Sequence, residues 1–249
     1  MNVDAAGIGE LWDRLTGTQP DPPWWLVLLT GIAALGAVVH GPTWRVARNV
    51  VTIAHEGGHA LAAVLTGRRL DGIKLHSDTS GVTVSRGKPD GPGMVFTALA
   101  GYITPPLLGL AFAVLLSRGR ITLMLWVSLA LLAGMLVMIR NAYGALAVAA
   151  TGLLIFLVSW LGTAEAQAAF AYLATLFLLL AGLRPVIELQ RMRARQMAPS
   201  SDADQLAHLT GVPGLVWVGL FAFVSLAALL AGGKLLLPDA ASLPGFLRP

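Results

Sequence analysis

The sequence contains no cysteine. Disulfide bonds, thiolate metal sites and cysteine nucleophiles are therefore excluded. Charge is also scarce, because Asp, Glu, Lys and Arg make up 12% of the 249 residues, against roughly 25% in an average soluble domain. Apolar residues make up 56%. So few charges cannot cover a globular surface in water, and the composition predicts a protein that crosses a membrane several times.

A cleavable signal peptide is not expected at the start of the chain. A signal peptide begins with a basic segment, whereas residues 1–23 carry several acidic residues and a single basic one: Asp4, Glu10, Asp13 and Asp21 against Arg14. We expect residues 1–23 to form a short acidic tail outside the membrane. Residues 24–236 are expected to form a single transmembrane domain, and residues 237–249 a C-terminal tail.

Long apolar runs fill most of the chain. A helix of about 20 apolar residues crosses a hydrocarbon core of about 30 Å, and seven segments have roughly that length. They are Trp24–His40, Arg45–Thr66, Pro92–Ser117, Ile121–Ile139, Ala142–Trp160, Ala164–Leu183 and Gly214–Gly233. The sequence therefore predicts an all-α polytopic membrane protein with about seven transmembrane helices.

Two polar segments interrupt the apolar runs. Residues 67–91 alternate polar and apolar positions around a Gly- and Ser-containing turn, which predicts a small β-hairpin at about residues 70–86. Residues 184–212 begin with a basic run and are expected to form a loop, in which Ser201 or Asp202 could cap a short helix. Anionic lipid headgroups suit that basic run, whereas nucleic acid does not, because the run lacks stacking aromatic residues.

The basic residues give an orientation. Seven spans would put the N-terminus, the hairpin and the basic run on one side, which then collects 11 of the 17 Lys and Arg residues. The positive-inside rule places that side in the cytoplasm, so residues 184–212 are predicted to be a cytoplasmic loop. The Ala-, Gly-, Leu- and Arg-rich composition favours a bacterial inner membrane.

The informative motif is His55-Glu56-Gly57-Gly58-His59, an H-E-x-x-H pattern inside the second predicted span. Residues four apart lie on one face of a helix, so His55 and His59 can direct imidazole nitrogens at a single Zn²⁺. Glu56 lies beside that face, where its carboxylate can take a proton from water bound to zinc. Polar groups within a span are costly to bury and usually mark function.

A catalytic zinc ion normally has three protein ligands, so a third must come from elsewhere in the chain. A carboxylate is the better ligand chemically, which favours Asp202 in the polar loop. Asp204 and Asn141 are the alternatives, in that order. Two further histidines rank lower, because His40 lies at the end of a span and His76 in the hairpin.

The motif and the hairpin that follows it resemble the site-2 protease group of metallopeptidases, family M50, and more narrowly its M50B-like bacterial membrane proteins. The resemblance extends to four further segments: Ala100–Pro106, Arg140–Gly144, Ser201–Leu206 and Thr210–Pro213. It implies zinc, proteolysis within the membrane, and the roles given above for His55, Glu56 and His59. It also implies a hairpin that pairs with an unfolded stretch of substrate by strand addition.

The leading hypothesis is a zinc-dependent intramembrane endopeptidase that cleaves a membrane-anchored protein, with zinc-bound water as the nucleophile and Glu56 as the general base. The alternative is a non-catalytic M50-like scaffold or adaptor. Better-known site-2 proteases take their third ligand from an Asp in a later span, whereas this chain has no Asp between Asp90 and Asp202. That departure favours the alternative. A transporter ranks last, because the spans offer few other carboxylates.

Overall fold

A computed structural model describes residues 15–197 and 200–237, together with residues 9, 12 and 13. The described residues form nine helices and a two-stranded antiparallel sheet, so the predicted helical fold with one hairpin is confirmed. The elements are α1 (Trp24–Val39), α2 (Gly41–Leu65), β1 (Arg69–Leu75), β2 (Gly81–Arg86), α3 (Pro92–Leu116), α4 (Ile121–Met138), α5 (Ala142–Leu161), α6 (Ala164–Ala181), α7 (Leu183–Ala194), α8 (Asp202–Thr210) and α9 (Gly214–Leu236). The predicted C-terminal tail lies almost wholly outside the described residues.

Five helical segments are long and apolar enough to cross a membrane: α3, α4, α5, the continuous run α6–α7 and α9. Many of their large apolar side chains are exposed, as expected for helices that face lipid. α1 and α2 pass the same test only as a pair, and they meet at an angle of 100°. The described chain therefore has five candidate spans, or six when the bent pair counts as one. The predicted number of seven is not confirmed.

The bend explains the difference, because α2 begins and ends at the same end of the bundle. Near its start, the Trp44 indole nitrogen donates a hydrogen bond of 2.9 Å to Glu188 on α7. Its end lies beside the start of α3, where the Thr66 hydroxyl is 3.5 Å from the Gly93 carbonyl oxygen. The first half of α3 packs with α7, α8 and the start of α9 in one apolar cluster.

Gln19, which precedes α1, lies at the other end of the bundle. The Gln19 main-chain nitrogen donates to the Gly119 carbonyl oxygen, 2.8 Å away in the turn between α3 and α4. Its side-chain amide donates to Thr122, at 2.9 Å, and to Gln167, at 3.2 Å. The prediction that the N-terminal segment and the hairpin share one side is therefore wrong, because it assumed that α2 crosses.

The corrected arrangement concentrates the basic residues further. Of the 15 Lys and Arg residues that the structure describes, 12 lie at the hairpin end and three at the opposite end. The twelve are Arg45, Arg48, Arg68, Arg69, Lys74, Arg86, Lys88, Arg140, Arg184, Arg191, Arg193 and Arg195, and the three are Arg118, Arg120 and Lys234. The hairpin end of the described bundle is therefore its strongly basic end.

The hairpin packs between α2 and the junction of α4 with α5. β1 and β2 pair from Leu75↔Gly81 to Arg69↔Arg86. On the other edge of β1, the Arg140 main-chain nitrogen donates to the Ile73 carbonyl oxygen at 2.9 Å. Ile73 and Leu75 are buried in an apolar cluster with residues of α2, α4 and α5. The hairpin is thus held on one edge and one face, which fixes β2 beside α2.

Candidate metal centre

The two histidines of the motif point to one place from α2. The Nε2 atoms of His55 and His59 are 3.1 Å apart, and the two rings meet edge to face with centroids 4.7 Å apart. Their side chains are 21% and 12% exposed. The i, i+4 spacing in a regular helix produces this convergence, as the sequence predicts.

Asp202 reaches the same place from α8. Its Oδ2 atom lies 3.3 Å from the Nε2 atom of each histidine. Asp202 is the first residue of α8, and Ser201 caps that helix by accepting a hydrogen bond from the Asp204 main-chain nitrogen. Among the described residues, His55, His59 and Asp202 form the one group of three His, Cys, Asp or Glu side chains able to hold a metal ion.

The alternative ligands are occupied elsewhere. The Asp204 carboxylate binds Arg193 on α7. The Asn141 amide donates to the Leu75 carbonyl oxygen, at 2.6 Å, and accepts from the Leu75 main-chain nitrogen, at 3.2 Å. Asn141 thus continues the pairing along β1 and stays away from the histidines. The structure brings Asp202, and neither alternative, to His55 and His59.

The remaining histidines considered from the sequence also have local partners. His40 Nδ1 lies 2.8 Å from the Thr43 hydroxyl, within the first turn of α2. His76 Nδ1 lies 3.2 Å from the Ser80 hydroxyl, in the turn of the hairpin. Neither imidazole joins the group of three.

The donors and acceptors at the site fit a cation. The Thr97 carbonyl oxygen lies 2.7 Å from His59 Nδ1 and can only accept, so Nδ1 carries the proton and Nε2 of a neutral ring is an acceptor. Asp202 Oδ2 is buried and has no hydrogen-bond donor besides the two imidazoles. Acceptors that converge in this way repel one another, and a divalent cation between them would remove that repulsion.

The spacing of these atoms also suits zinc. Ligands at about 2.0–2.1 Å from a tetrahedral zinc ion lie about 3.3 Å from one another. The three distances in the structure, 3.1, 3.3 and 3.3 Å, are close to that value. The residues present therefore fit a zinc ion with three protein ligands.

Carboxylates outside the spans are kept ionised. Burial raises the pKa of Asp202, but when both imidazoles are protonated the charge of His59 and the hydrogen bonds from both histidines outweigh it and lower that pKa. Burial likewise raises the pKa of Asp204, but its hydrogen bonds with Ser201 and Arg193 and the Arg193 charge outweigh it and lower that pKa. Both side chains are therefore anions at neutral pH.

Glycine on α3 makes room for the two imidazoles. A Cβ atom at Gly101 would lie 2.6 Å from Cε1 of both His55 and His59, closer than van der Waals contact allows. The next residue, Tyr102, meets the His55 ring edge to face at 4.9 Å and stacks on Phe221 of α9 at 4.9 Å. α3 thus supplies a close wall on one side of the site.

Glu56 lies on the hairpin side of α2 and is 4% exposed. Its Oε2 atom accepts a hydrogen bond of 2.7 Å from the Thr83 hydroxyl on β2. A Cβ atom at Gly81 would lie 2.7 Å from Glu56 Oε1, so the start of β2 also approaches closely. The carboxylate is therefore held against the hairpin.

Sequence reasoning did not identify Thr83, Gly101 or Thr97. Threonine is ordinary in a strand and glycine in a membrane helix, so neither residue type marks a site. Their roles depend on partners between 27 and 46 positions away. The helical spacing of the histidines, by contrast, is local.

Comparison with known proteins agrees with this arrangement. A family model described as "Peptidase M50B-like" matches residues 28–232, most of the chain. The searches of curated proteins and of solved structures found no match. The matched region contains α2, the hairpin and α8, and so every residue of the candidate metal centre. This chain belongs to the peptidase M50B-like family.

Proposed function

We propose that the protein is a zinc-dependent intramembrane endopeptidase that hydrolyses a peptide bond of a membrane-anchored protein. The observation that carries this proposal is the convergence of His55, His59 and Asp202 on one point. The buried Glu56 follows His55 directly in the sequence. Membership of the M50B-like family supports a protease. It also supports zinc as the metal, because M50 peptidases depend on zinc.

In this proposal His55, His59 and Asp202 hold the zinc ion. When bound, zinc supplies Lewis acidity toward a water molecule and the scissile carbonyl. Glu56 accepts the proton that the attacking water loses and later delivers it to the leaving amine. The Thr83 hydroxyl orients the Glu56 carboxylate, and the Thr97 carbonyl fixes the tautomer of His59.

The surroundings fit a substrate embedded in lipid. The apolar helices indicate a multi-pass membrane protein, and the bilayer is its proposed environment. We place the hairpin end in the cytoplasm of a bacterial cell, with the spans in the inner membrane, on the strength of the basic residues. Residues 24–236 then act as one transmembrane domain between two short tails.

The scaffold alternative loses its main support. It was favoured because no Asp occurs in a later span, which would leave zinc with two protein ligands. Asp202 lies outside the spans and is nevertheless 3.3 Å from both histidines. A carboxylate able to act as the third ligand thus lies beside the two histidines, which supports the enzyme.

Metal analysis of the purified protein tests the proposal. The wild type and Glu56→Gln are each expected to contain one zinc ion per chain, and His59→Ala none. His76→Ala is the matched control, because His76 is an exposed histidine in the hairpin turn and should retain zinc. Zinc in His59→Ala at the wild-type level would contradict the metal site.

Cleavage is measured separately on single-span model proteins reconstituted in liposomes with the enzyme, with new termini identified by mass spectrometry. Only the wild type and His76→Ala should cleave. Cleavage by Glu56→Gln at the wild-type rate would contradict the role of Glu56 as general base. A zinc-bound wild type that cleaves no model protein would favour the scaffold.

A further inference from the structure

The third ligand is carried by a helix outside the membrane spans. α8 has nine residues, and Asp202 is the first of them. α7 ends at Ala194, and the connection to α8 contains no described helix or strand. The position of Asp202 therefore depends on how the first turn of α8 is held.

An ion pair between α7 and α8 holds that turn. Arg193 Nη2 donates to Asp204 Oδ1 at 2.6 Å, and Arg193 Nε lies 3.1 and 3.3 Å from the two carboxylate oxygens. The Ser201 hydroxyl donates to Asp204 Oδ2 at 2.6 Å. The two ionic side chains are 18% and 22% exposed, so solvent screens this pair less than an ordinary surface pair.

The same guanidinium fills a space at the start of α9. A Cβ atom at Gly214 would lie 2.8 Å from Arg193 Cζ, so glycine is needed for the arginine to lie there. Arg193 thus contacts three helices: its own α7, α8 through Asp204, and α9 at Gly214. These contacts hold the Arg193 side chain in one orientation. An ion pair exposed to solvent would leave it free to rotate.

Apolar packing holds the remainder of α8. Ala203 and Leu206 are fully buried, in a cluster with Ala98 of α3 and Phe221 of α9. These contacts attach α8 to the bundle, but they lie on its apolar face. The rotation of the first turn, and with it the direction of Asp202, needs a directional contact.

We infer that Arg193 and Asp204 are positioning residues that direct Asp202 toward the two histidines. The inference rests on the proposed function, in which Asp202 is a zinc ligand. Residues that orient metal ligands typically contribute about 10–100-fold to metal affinity. Loss of the Arg193–Asp204 pair should therefore weaken zinc binding by about that factor while the fold is retained.

The first test uses full-length, metal-free protein, so that it does not depend on zinc. Hydrogen exchange is followed in α8 and α9 for the wild type, Arg193→Gln, Arg193→Lys and the control Arg191→Gln. Arg191 is exposed on the same helix, and no carboxylate lies within 4 Å of it among the described residues. Exchange in α8 should rise about tenfold in Arg193→Gln alone, with α9 unchanged beyond its first turn, where Gly214 contacts Arg193. Wild-type exchange in Arg193→Gln would overturn the inference.

The second test measures zinc affinity by competition with a chromogenic chelator, and the visible spectrum of the Co²⁺-loaded protein. Arg193→Gln and Asp204→Asn should each bind zinc about 10–100-fold more weakly, and the double variant should be no worse than either. Arg193→Lys should recover part of the affinity. The Co²⁺ spectrum should change in Arg193→Gln toward that of Asp202→Ala.

The outcomes separate the two proposals. Tight zinc binding in the wild type and equally tight binding in Arg193→Gln would overturn the positioning role and leave the proposed function intact. Equal zinc affinity in the wild type and Asp202→Ala would remove Asp202 as a ligand, and the inference with it. A wild type that binds no zinc would overturn the proposed function, and the exchange experiment would still decide whether Arg193 fixes α8.

Discussion

The Thr83 hydroxyl donates a 2.7 Å hydrogen bond to the carboxylate of Glu56 and so connects the hairpin to the proposed general base. The same oxygen lies 3.1 Å from the Glu56 main-chain carbonyl oxygen. Because β1 is bonded on its other edge to the start of the α4–α5 junction, this contact reaches Glu56 from a well-anchored strand. In the proposed mechanism the hairpin therefore has a part in the chemistry, besides the strand addition that the family resemblance implies.

Replacement of Thr83 by Val tests that part. Valine keeps the shape of threonine and removes the donor, so Glu56 loses the contact that orients it. We expect kcat to fall about 100-fold, as is typical when a catalytic group is misplaced by about 1 Å, with zinc content unchanged. Thr83→Ser keeps the hydroxyl and should stay within a few-fold of the wild type. Equal losses in the two variants would show that the hydroxyl is not the cause.

Two glycines of the site should respond oppositely to alanine. Gly101→Ala places a methyl group 2.6 Å from the Cε1 atom of each imidazole, so it should displace the rings and abolish zinc binding. Gly57 lies between the two histidines in sequence, and a Cβ atom there would have open space within 4 Å, so Gly57→Ala should retain zinc. Zinc content by mass spectrometry compares the two variants. Full zinc occupancy in Gly101→Ala would contradict this arrangement of rings.

We expect Asn141 to stabilise the fold through its hydrogen bonds to Leu75 and not to bind the metal. Asn141→Ala breaks both hydrogen bonds to Leu75 and leaves two main-chain groups without partners. Each such loss costs about 1–3 kcal/mol, so the thermal midpoint should fall while one zinc ion stays bound. Asp202→Ala should show the reverse, with zinc lost and a smaller change in stability. Zinc loss in Asn141→Ala with an unchanged thermal midpoint would make Asn141 a ligand after all.

Glu188 should hold the bend between α1 and α2. Its Oε1 atom accepts from the Trp44 indole at 2.9 Å and from Arg184 Nε at 3.1 Å, and Arg184 lies over the Trp44 ring at 4.6 Å. Glu188→Ala leaves these donors without their acceptor, so thermal stability in detergent should fall by several degrees. Glu188→Gln keeps an acceptor oxygen and should lose less. Equal stability of Glu188→Ala and the wild type would exclude this role.

The parts of the protein that sequence predicted were those decided by local spacing. His55 and His59 converge because of the helical repeat, and the hairpin follows from alternation over about 17 residues. Ligand chemistry alone favours Asp202 as the third ligand, and the structure brings it to the histidines. Its approach depends on α8 docking against α3 and α9, and no local pattern specifies that docking.

The number of spans could not be predicted for a related reason. Hydropathy measures whether a segment tolerates lipid, and the sequence predicts α1 and α2 as two spans, whereas in the structure they pass that test only as a bent pair. The direction of α2 is set by the 100° turn after α1 and by contacts such as Trp44 with Glu188, which involve residues far apart in sequence. Residues 184–212, expected to be a loop with one short helix near Ser201, contain most of α7 and the whole of α8.

Because α1 and α2 together form at most one span, the two ends of the bundle can be assigned to compartments with fused reporter proteins. Gln19 lies beside Gly119, and Leu236 near the end of α9 shares an apolar cluster with Leu116 at the end of α3. Reporter proteins fused just before α1 and just after α9 should therefore give the same reading in a compartment assay. A reporter inserted in the hairpin turn should give the opposite one.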